Sequence, residues 1–213
     1  MGTKKSNWQS FKDTLFFPIR ALYPNNERFH FLELTPLSNE RFQVALQACY
    51  GKLLDMGCAN NQLVSQYQRF SVGVDTPEYL DDRIQPDVWI APYTQLPFRD
   101  GIFNTVAFIA SLNHITDRKQ ALLEAYRVLS DHGRVVITML DPFLGALGHK
   151  LWAVLGSDPD QHRRGGMSSE EIGGLSKQTI FNLLRQSGFS NARHFRFSFG
   201  FNNIYVAEKN LSG

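Results

Sequence analysis

The chain has 213 residues, of which 43% are hydrophobic, and its formal net charge is only +2 at pH 7. This length and hydrophobic content suffice for one compact domain with a sizeable core. Because no run of lysine or arginine stands out as a phosphate-binding stripe, the charge gives no reason to expect nucleic acid as a partner.

The two cysteines, Cys49 and Cys58, are too few and too close in sequence for a disulfide framework, so we expect a reduced, cytoplasmic setting. No hydrophobic run approaches the roughly 18 residues of a membrane span. Polar residues interrupt the apolar residues after Lys4 and Lys5, and no small-residue cleavage site follows, so we expect no signal peptide. The histidines have no metal-ligand spacing with carboxylates or cysteines, and we predict no metal.

The first 34 residues precede the pattern of the core fold and are predicted to form an accessory segment or lid. Pro18 is expected to end or bend a short helix whose apolar residues share one side. Those apolar residues are Trp8, Phe11, Leu15 and Phe16. Thr35 then resembles an N-cap, with Pro36 in the first turn of a helix that runs through Ala48. We assign residues 35–213 to the main domain, with an insert at about 141–175.

The stretch from Lys52 to Asn61 has the pattern of a strand, a tight turn and the start of a helix. Small residues in such a turn let the backbone approach a ligand, and free N–H groups at the helix start attract electron-rich groups. Asp75 ends the next strand, where it is placed to accept hydrogen bonds from the two hydroxyls of a ribose. The spacing therefore predicts a nucleotide-type cofactor.

Two kinds of cofactor use this layout. A dinucleotide turn needs the pattern G-x-G-x-x-G, but the three positions here are Gly57, Ala59 and Gln62. The sequence Leu-Leu-Asp-Met-Gly-Cys-Ala-Asn-Asn instead resembles the first motif of class I S-adenosylmethionine-dependent methyltransferases. Asp55 and Gly57 match that motif, whereas Ala59 and Asn61 replace its second and third glycines. An acidic residue two positions before the glycine suits a cofactor that presents an ammonium group and no phosphate.

Cys58 lies inside this turn. A small residue fits a tight turn, which is one explanation for a cysteine there, and a nucleophilic role is the alternative. The resemblance implies S-adenosylmethionine as the cofactor.

A second block supports the resemblance. Residues 96–104, Leu-Pro-Phe-Arg-Asp-Gly-Ile-Phe-Asn, precede an apolar strand at 105–110 and resemble the segment before strand four in methyltransferases of ubiquinone biosynthesis. In those proteins an aspartate six residues before the phenylalanine often contacts the adenine amino group. That position here is Pro92, so Tyr93, by its backbone or ring, is the expected neighbour of the adenine. The resemblance is nearly continuous from Lys52 to Leu140.

Ser111 to His114 should lie at the carboxyl end of strand four, beside the cofactor. His114 is the candidate general base, which is needed only if the acceptor is protonated at the working pH. The alternative is that His114 shapes the pocket or pairs with a backbone carbonyl. His149 and His162, from the insert, are the other candidates.

The remaining elements complete the predicted fold. Asp117 should cap one helix and Ser176 another, and the latter should end at Gly188. An apolar stripe from Leu144 to Leu155 predicts a helix in the insert, and two strands close the chain at 192–198 and 203–207. The fold class is α/β: a Rossmann-like three-layer sandwich with a mostly parallel seven-stranded sheet whose last strand is antiparallel.

In such a sheet, ligands bind at the carboxyl ends of the strands, where the loops after the predicted strands converge. The predicted cofactor-binding residues are Asp55, Gly57, Cys58, Ala59, Asn61, Asp75, Thr76, Pro92, Tyr93, Ala110 and Ser111.

Three functions are consistent with this pattern. The first is methyl transfer from S-adenosylmethionine to a small-molecule or lipid-linked acceptor. The second is a binding or regulatory protein that kept the fold and lost turnover, since Ala59, Asn61 and Pro92 depart from the motifs. The third, a nicotinamide-dependent oxidoreductase, is disfavoured by the turn.

The acceptor is expected to be apolar or lipid-attached, because aromatic and basic residues are interleaved in the first 34 residues and again in the insert. Both segments are predicted to cover the acceptor as a lid, and such residues also suit peripheral contact with a membrane surface. The alternative is that both helices pack inward as ordinary core or as a dimer contact.

Overall fold

The computed structural model describes residues 6–22, 30–77, 88–155 and 174–210. The strands are β1 (Leu53–Met56), β2 (Ser71–Asp75), β3 (Val88–Ile90), β4 (Phe103–Ile109), β5 (Leu129–Leu140), β6 (Phe189–Phe197) and β7 (Asn202–Lys209). The helices are α1 (Asn7–Leu15), α2 (Phe17–Leu22), α3 (Leu37–Ala48), α4 (Gln62–Gln66), α5 (Arg118–Val128), α6 (Pro142–Leu155) and α7 (Lys177–Gln186). Short 3₁₀ turns lie at His30–Leu32, Leu112–His114 and Ser198–Gly200.

The seven strands form one sheet in the order β3-β2-β1-β4-β5-β7-β6. The pairs β1–β2, β1–β4, β2–β3 and β4–β5 are parallel, whereas β7 runs antiparallel to both of its neighbours. The predicted fold class is therefore confirmed, including the single reversed strand at the end of the chain. The carboxyl ends of β1, β2 and β4 lie side by side, which gathers the loops that follow them.

Apolar side chains fill both faces of the central strands. Leu54 and Met56 of β1 belong to a cluster that includes Leu122 of α5 and Ile180 of α7. Leu53 belongs to a second cluster on the other face, with residues of α3 and α4. Burial on both faces explains why β1 and β4 are nearly continuous apolar runs rather than alternating ones.

The predicted caps have different outcomes. Asp117 accepts a hydrogen bond from the Gln120 N–H at 3.0 Å, and Ser176 accepts one from the Thr179 N–H at 3.1 Å, so both caps are confirmed. The prediction for Thr35 is wrong: the N-cap of α3 is Pro36, which makes no side-chain cap bond. Thr35 serves the N-terminal segment instead, because its N–H donates to Asp13 Oδ1 at 2.9 Å.

A buried charged network fixes the N-terminal helices to the main domain. Arg20 donates to the carbonyl oxygens of Thr35 and Asp13 at 2.8 and 2.9 Å, and its Nη2 lies 2.7 Å from Glu40 Oε1 on α3. Pro18 is the second residue of α2, and the break between α1 and α2 lies at Phe16, two residues before it.

The apolar side of α1 points away from the domain. Trp8, Phe11 and Leu15 do share one side of the helix, as the sequence predicts, but they are 66%, 56% and 60% exposed. The alternative that these residues pack inward as core is therefore wrong, because the buried polar side of α1 occupies the inner position.

Candidate functional site

The turn after β1 keeps a left-handed backbone at each position of the predicted motif. Gly57, Ala59 and Asn61 have φ values of 78°, 45° and 60°. A left-handed conformation costs a residue with a Cβ roughly 1–2 kcal/mol, and asparagine tolerates it better because its short polar side chain can bond locally. The turn therefore has the shape of a glycine-rich turn although two of the three glycines are replaced.

Gly57 is required by close approach as well as by its φ. A Cβ at this position would lie 2.4 Å from Cβ of Ser111, in the loop after β4. The Ser111 hydroxyl donates to the carbonyl of Met56 at 2.5 Å. The turn after β1 and the loop after β4 are thus in direct contact, as predicted for Gly57 and Ser111.

The N–H groups of the turn are bonded within the protein. Those of Gly57 and Cys58 donate to the carbonyl of Val74 at 2.8 and 3.3 Å, and that of Ala59 donates to Asp75 Oδ2 at 2.7 Å. These three N–H groups precede α4, so they are not the groups at the helix start that are predicted to attract a ligand. Their bonds fix the turn against the carboxyl end of β2.

Asp75 is the centre of this arrangement. Its carboxylate is 1% exposed, and Oδ1 accepts hydrogen bonds from the Thr76 N–H at 2.8 Å and the Tyr93 hydroxyl at 2.5 Å. With the bond from Ala59, the structure brings four of the predicted cofactor-binding residues together. A carboxylate oxygen accepts about two hydrogen bonds, so Oδ1 is filled and Oδ2 keeps one position.

Tyr93 is buried beside Asp75, and the sequence analysis did not predict the hydrogen bond between them. Burial, the charge of Asp75 and the hydrogen bond to it all raise the pKa of Tyr93, so the phenol stays protonated and donates. Pro92, by contrast, is exposed, and its carbonyl accepts from the N–H of Gln95. The tight turn 92–95 carries Tyr93 from the end of β3 back toward β2.

Asp55 lies in the middle of β1 and is fully buried. Its Oδ1 has no hydrogen-bond partner among the residues that the structure describes. Burial, and secondarily the charge of Asp75, raises the pKa of Asp55 to about 8. A buried acid without a partner is costly unless an opposite charge or a donor approaches it. Asp55 therefore suits the ammonium group of S-adenosylmethionine. Together, Asp55, Asp75 and the turn at Gly57 form a site whose chemistry fits that cofactor.

Cys58 and Asn61 turn toward β2. A Cβ on Gly73 would lie 2.3 Å from Asn61 Oδ1 and 2.7 Å from Cys58 Sγ, so both side chains cover this glycine. Burial and the nearby Asp55 and Asp75 raise the pKa of the Cys58 thiol. The thiol is therefore protonated, which argues against the nucleophilic alternative. Gly73 was missed in the sequence, although an isolated glycine inside a strand indicates such a close approach.

The loop after β4 places His114 at the carboxyl end of the strand, as predicted. Ala110 opens the loop with a left-handed φ of 53°, and the His114 N–H donates to the Ser111 carbonyl at 2.9 Å. His114 Nε2 lies 3.1 Å from Nδ2 of Asn113, whose carbonyl accepts from Arg118. Asn113 and Arg118 were not singled out in the sequence: the Asn113 amide contacts the half-buried imidazole, and Arg118 bonds to the Asn113 backbone.

The other histidine candidates lie elsewhere in the chain. His149 belongs to α6 but its side chain is not described, and His162 lies outside the described residues. Within the described ranges, no three His, Cys, Asp or Glu side chains are grouped so that they could hold a metal ion. No helix in these ranges is long and apolar enough to span a bilayer.

Comparison with known proteins shows similarity over part of the chain. Residues 54–137 match the family model described as a methyltransferase domain. Over 129 residues the chain is 30% identical to a ubiquinone/menaquinone biosynthesis C-methyltransferase, UbiE, of Geotalea uraniireducens. That alignment covers 56% of this chain and 55% of the relative, so the chain spans about half the length of the curated relative that it matches.

Solved structures share the fold at low sequence identity. A S-adenosylmethionine-dependent methyltransferase from Thermotoga maritima is 17% identical, with 91% of this chain and 100% of that one covered and a TM-score of 0.58. The [4+2]-cyclase SpnF is 13% identical, with 82% and 81% covered and a TM-score of 0.57. At these identities the likeness establishes the fold alone.

Proposed function

Because the chain carries a class I S-adenosylmethionine-dependent methyltransferase domain, we propose that it transfers a methyl group to a small-molecule or lipid-linked acceptor. The family and fold imply S-adenosylmethionine as the cofactor. The observation that carries the proposal is the buried Asp75 carboxylate, bonded to the Ala59 N–H of the turn that keeps a left-handed backbone at Gly57, Ala59 and Asn61.

In this proposal each predicted residue has a physical task. Asp75 accepts hydrogen bonds from the ribose hydroxyls, and Asp55, as a carboxylate, balances the ammonium group. Gly57 and Ser111 let the backbone approach the cofactor, and Ala110 turns the chain there. Thr76, Pro92 and Tyr93 lie on the adenine side, beside Asp75. Cys58, Ala59 and Asn61 hold the shape of the turn.

When bound, S-adenosylmethionine supplies an electrophilic methyl group on sulfur, so the protein has mainly to align the acceptor and exclude water. His114 is the residue that we propose to remove a proton from an acceptor that carries one. Its place after β4 puts the imidazole at that edge, and Nε2, which accepts from the Asn113 amide, would exchange that bond for the proton of the acceptor. The competing role for His114 is only to shape the pocket.

We also propose that residues 1–34 and the insert at 141–175 cover the acceptor. The support is that α2 packs on α6, and that Phe17 of α2 lies 4.5 Å from the ring of Phe199 in the turn between β6 and β7. That turn is at the carboxyl end of β5, since Asn202 pairs with Leu140. A cytoplasmic protein, in peripheral contact with a membrane, is the setting that we propose for such an acceptor.

A second candidate function is binding or regulation without methyl transfer. Three departures favour it: Ala59, Asn61 and the Tyr93 hydroxyl that occupies Asp75. A fold shared with a [4+2]-cyclase also means that the fold alone does not fix the chemistry. A nicotinamide-dependent oxidoreductase is disfavoured by the reversed β7 and by the missing glycines.

Thermal unfolding with separate cofactors tests the proposal. Ligand at 100 times its dissociation constant stabilises a native protein by about 2.7 kcal/mol. We expect S-adenosylmethionine and S-adenosylhomocysteine to raise the unfolding temperature and NAD to leave it unchanged. Stabilisation by NAD alone would contradict the proposal, and stabilisation by none of the three would favour the second candidate.

A further inference from the structure

Helix α1 turns its apolar side toward solvent and its polar side toward the protein. Its outward side carries Trp8, Phe11 and Leu15, each more than half exposed, and the rings of Trp8 and Phe11 stack with centroids 5.8 Å apart. Its inward side carries Asp13, which is 2% exposed, and Gln9, which donates to Asp13 at 3.0 Å. A surface helix of a globular protein normally turns its apolar stripe toward the core.

The buried network prevents the helix from rolling inward. Asp13 Oδ1 accepts from the Thr35 N–H at 2.9 Å, and the Asp13 carbonyl accepts from Arg20. Arg20 in turn pairs with Glu40 of α3 at 2.7 Å, and the Ser198 hydroxyl donates to the same carboxylate. Turning the apolar side inward would expose or break these bonds, so the structure holds that side outward.

Further exposed apolar residues adjoin α1. Phe31 is 68% exposed and lies in the turn that is bonded to α1 through Lys12, whose Nζ donates to the Leu32 carbonyl at 3.3 Å. Glu33, an exposed acid in this turn, lies 3.7 Å from the same ammonium group. We call the surface formed by Trp8, Phe11, Leu15 and Phe31 the α1 face.

The α1 face belongs to the segment that packs at the carboxyl edge of the sheet. Phe17, just after α1, contacts Phe199 in the turn between β6 and β7, and Phe199 is itself 65% exposed. Phe143 at the start of α6 is 76% exposed, and this start is tied to the same turn because the Asp141 N–H donates to the Phe201 carbonyl. The exposed aromatic residues therefore come from three elements that meet at the edge proposed for methyl transfer.

The charge of the chain is also uneven. Residues 1–22 contain four basic residues and one acidic residue, whereas the rest of the chain contains 18 basic and 19 acidic residues. Two of the four basic residues are paired within the protein, because Arg20 is buried against Glu40 and Lys12 lies 3.7 Å from Glu33. The other two, Lys4 and Lys5, come directly before α1 in sequence and carry the positive charge that is relevant to an anionic surface. Aromatic and aliphatic side chains beside basic residues suit the headgroup region of an anionic bilayer.

We propose that the α1 face docks on the surface of an anionic lipid bilayer and brings the carboxyl edge of the sheet close to that surface. The docking stands on the exposure of the α1 face and on Lys4 and Lys5 directly before it in sequence. Only its use, the delivery of a lipid-linked acceptor to the site, rests on the proposed function.

Vesicle sedimentation of the full chain tests this docking. Vesicles of phosphatidylcholine mixed with phosphatidylglycerol should pellet the wild-type protein, and vesicles of phosphatidylcholine alone should pellet much less. The double variant Trp8→Ser with Phe11→Ser should lose roughly tenfold or more of its partitioning, because it removes two interfacial aromatic residues. Phe70→Ser is the matched control, since Phe70 is 61% exposed at the amino end of β2 and should partition like the wild type.

Two results would overturn the proposal. One is equal partitioning of the wild type and the double variant. The other is a stable dimer of the wild type that the double variant abolishes, without vesicle binding, which would assign the α1 face to a second copy. The unfolding temperature of the double variant should match that of the control, which shows that the variant is folded. Failure of S-adenosylmethionine to bind would refute the proposed function and leave the vesicle result unaffected.

Discussion

The hydroxyl of Tyr93 donates a 2.5 Å hydrogen bond to Oδ1 of Asp75, so two residues expected to contact the cofactor contact each other. The bond joins the loop after β3 to the end of β2 and lies inside the protein, with Tyr93 only 8% exposed. If ribose hydroxyls bind to both carboxylate oxygens, the phenol must give up this bond. We therefore expect changes to the Asp75–Tyr93 pair to alter cofactor affinity.

Asp75→Ala should weaken the binding of S-adenosylmethionine by at least about tenfold. The substitution removes hydrogen bonds to a charged group, each worth roughly 1.5–3 kcal/mol. Titration calorimetry measures the affinity, and circular dichroism checks that the variant is folded. Asp100→Ala, which removes an exposed carboxylate paired with Arg127, should bind normally. Unchanged affinity in folded Asp75→Ala would refute the role of this carboxylate.

Tyr93→Phe should tighten the binding of S-adenosylmethionine by about tenfold. It keeps the ring beside the site but removes the hydroxyl that competes for Asp75, a bond to a charged group worth about 1.4 kcal/mol or more. The same calorimetric titration applies. Weaker binding would show the opposite, that the phenol holds Asp75 in the orientation the cofactor needs.

Asp55→Asn should remove part of the pH dependence of stability. In the folded protein the pKa of Asp55 is raised to about 8, whereas an unfolded aspartate titrates near 3.9. The folded chain therefore keeps a proton that the unfolded chain has lost, so this group's contribution to stability is present below about pH 4 and is lost as the pH rises toward 8.

Urea unfolding at pH 5 and at pH 8, without cofactor, measures this effect. The decrease in stability between the two values should be smaller in Asp55→Asn than in the wild type. The variant should also bind S-adenosylmethionine more weakly, because the amide cannot balance an ammonium charge. Identical pH dependence in both proteins would mean that Asp55 does not titrate in this window.

Ala59→Gly should stabilise the protein by roughly 0.5–1 kcal/mol. Glycine relieves the left-handed strain at φ 45°, and the added entropy of the unfolded chain offsets part of that gain. Gly57→Ala should destabilise strongly, since its Cβ would lie 2.4 Å from Ser111. Ala48→Gly, at the last residue of α3, is the control and should destabilise slightly. Destabilisation by Ala59→Gly would show that Ala59 packs usefully in the turn.

The sequence predicted well those features that depend on neighbouring residues. The α/β class and the mostly parallel sheet follow from the alternation of apolar runs and helices, and the Asp117 and Ser176 caps are local hydrogen bonds. Asp55, Gly57 and Asp75 are fixed by spacing within one strand–turn–helix–strand unit.

Long-range bonds decided the features that the sequence did not predict. Periodicity showed that Trp8 and Phe11 share a side of α1, but the direction of that side depends on Arg20 reaching Glu40 on another helix. Thr35 does not cap α3, because its N–H is bonded to Asp13 in the same network. The Tyr93–Asp75 bond joins the loop after β3 to the end of β2. No local pattern contains the partner in these cases.

Transfer of a labelled methyl group tests the central claim most directly. The wild-type protein is incubated with S-adenosylmethionine labelled in its methyl group, together with total lipid and polar metabolite extracts, and label is counted in each fraction. We predict that label appears in an acceptor, chiefly in the lipid fraction, and that Asp75→Ala strongly reduces it when the cofactor concentration is limiting. Binding of S-adenosylmethionine with no label in any fraction would contradict methyl transfer and leave a binding protein with a methyltransferase fold.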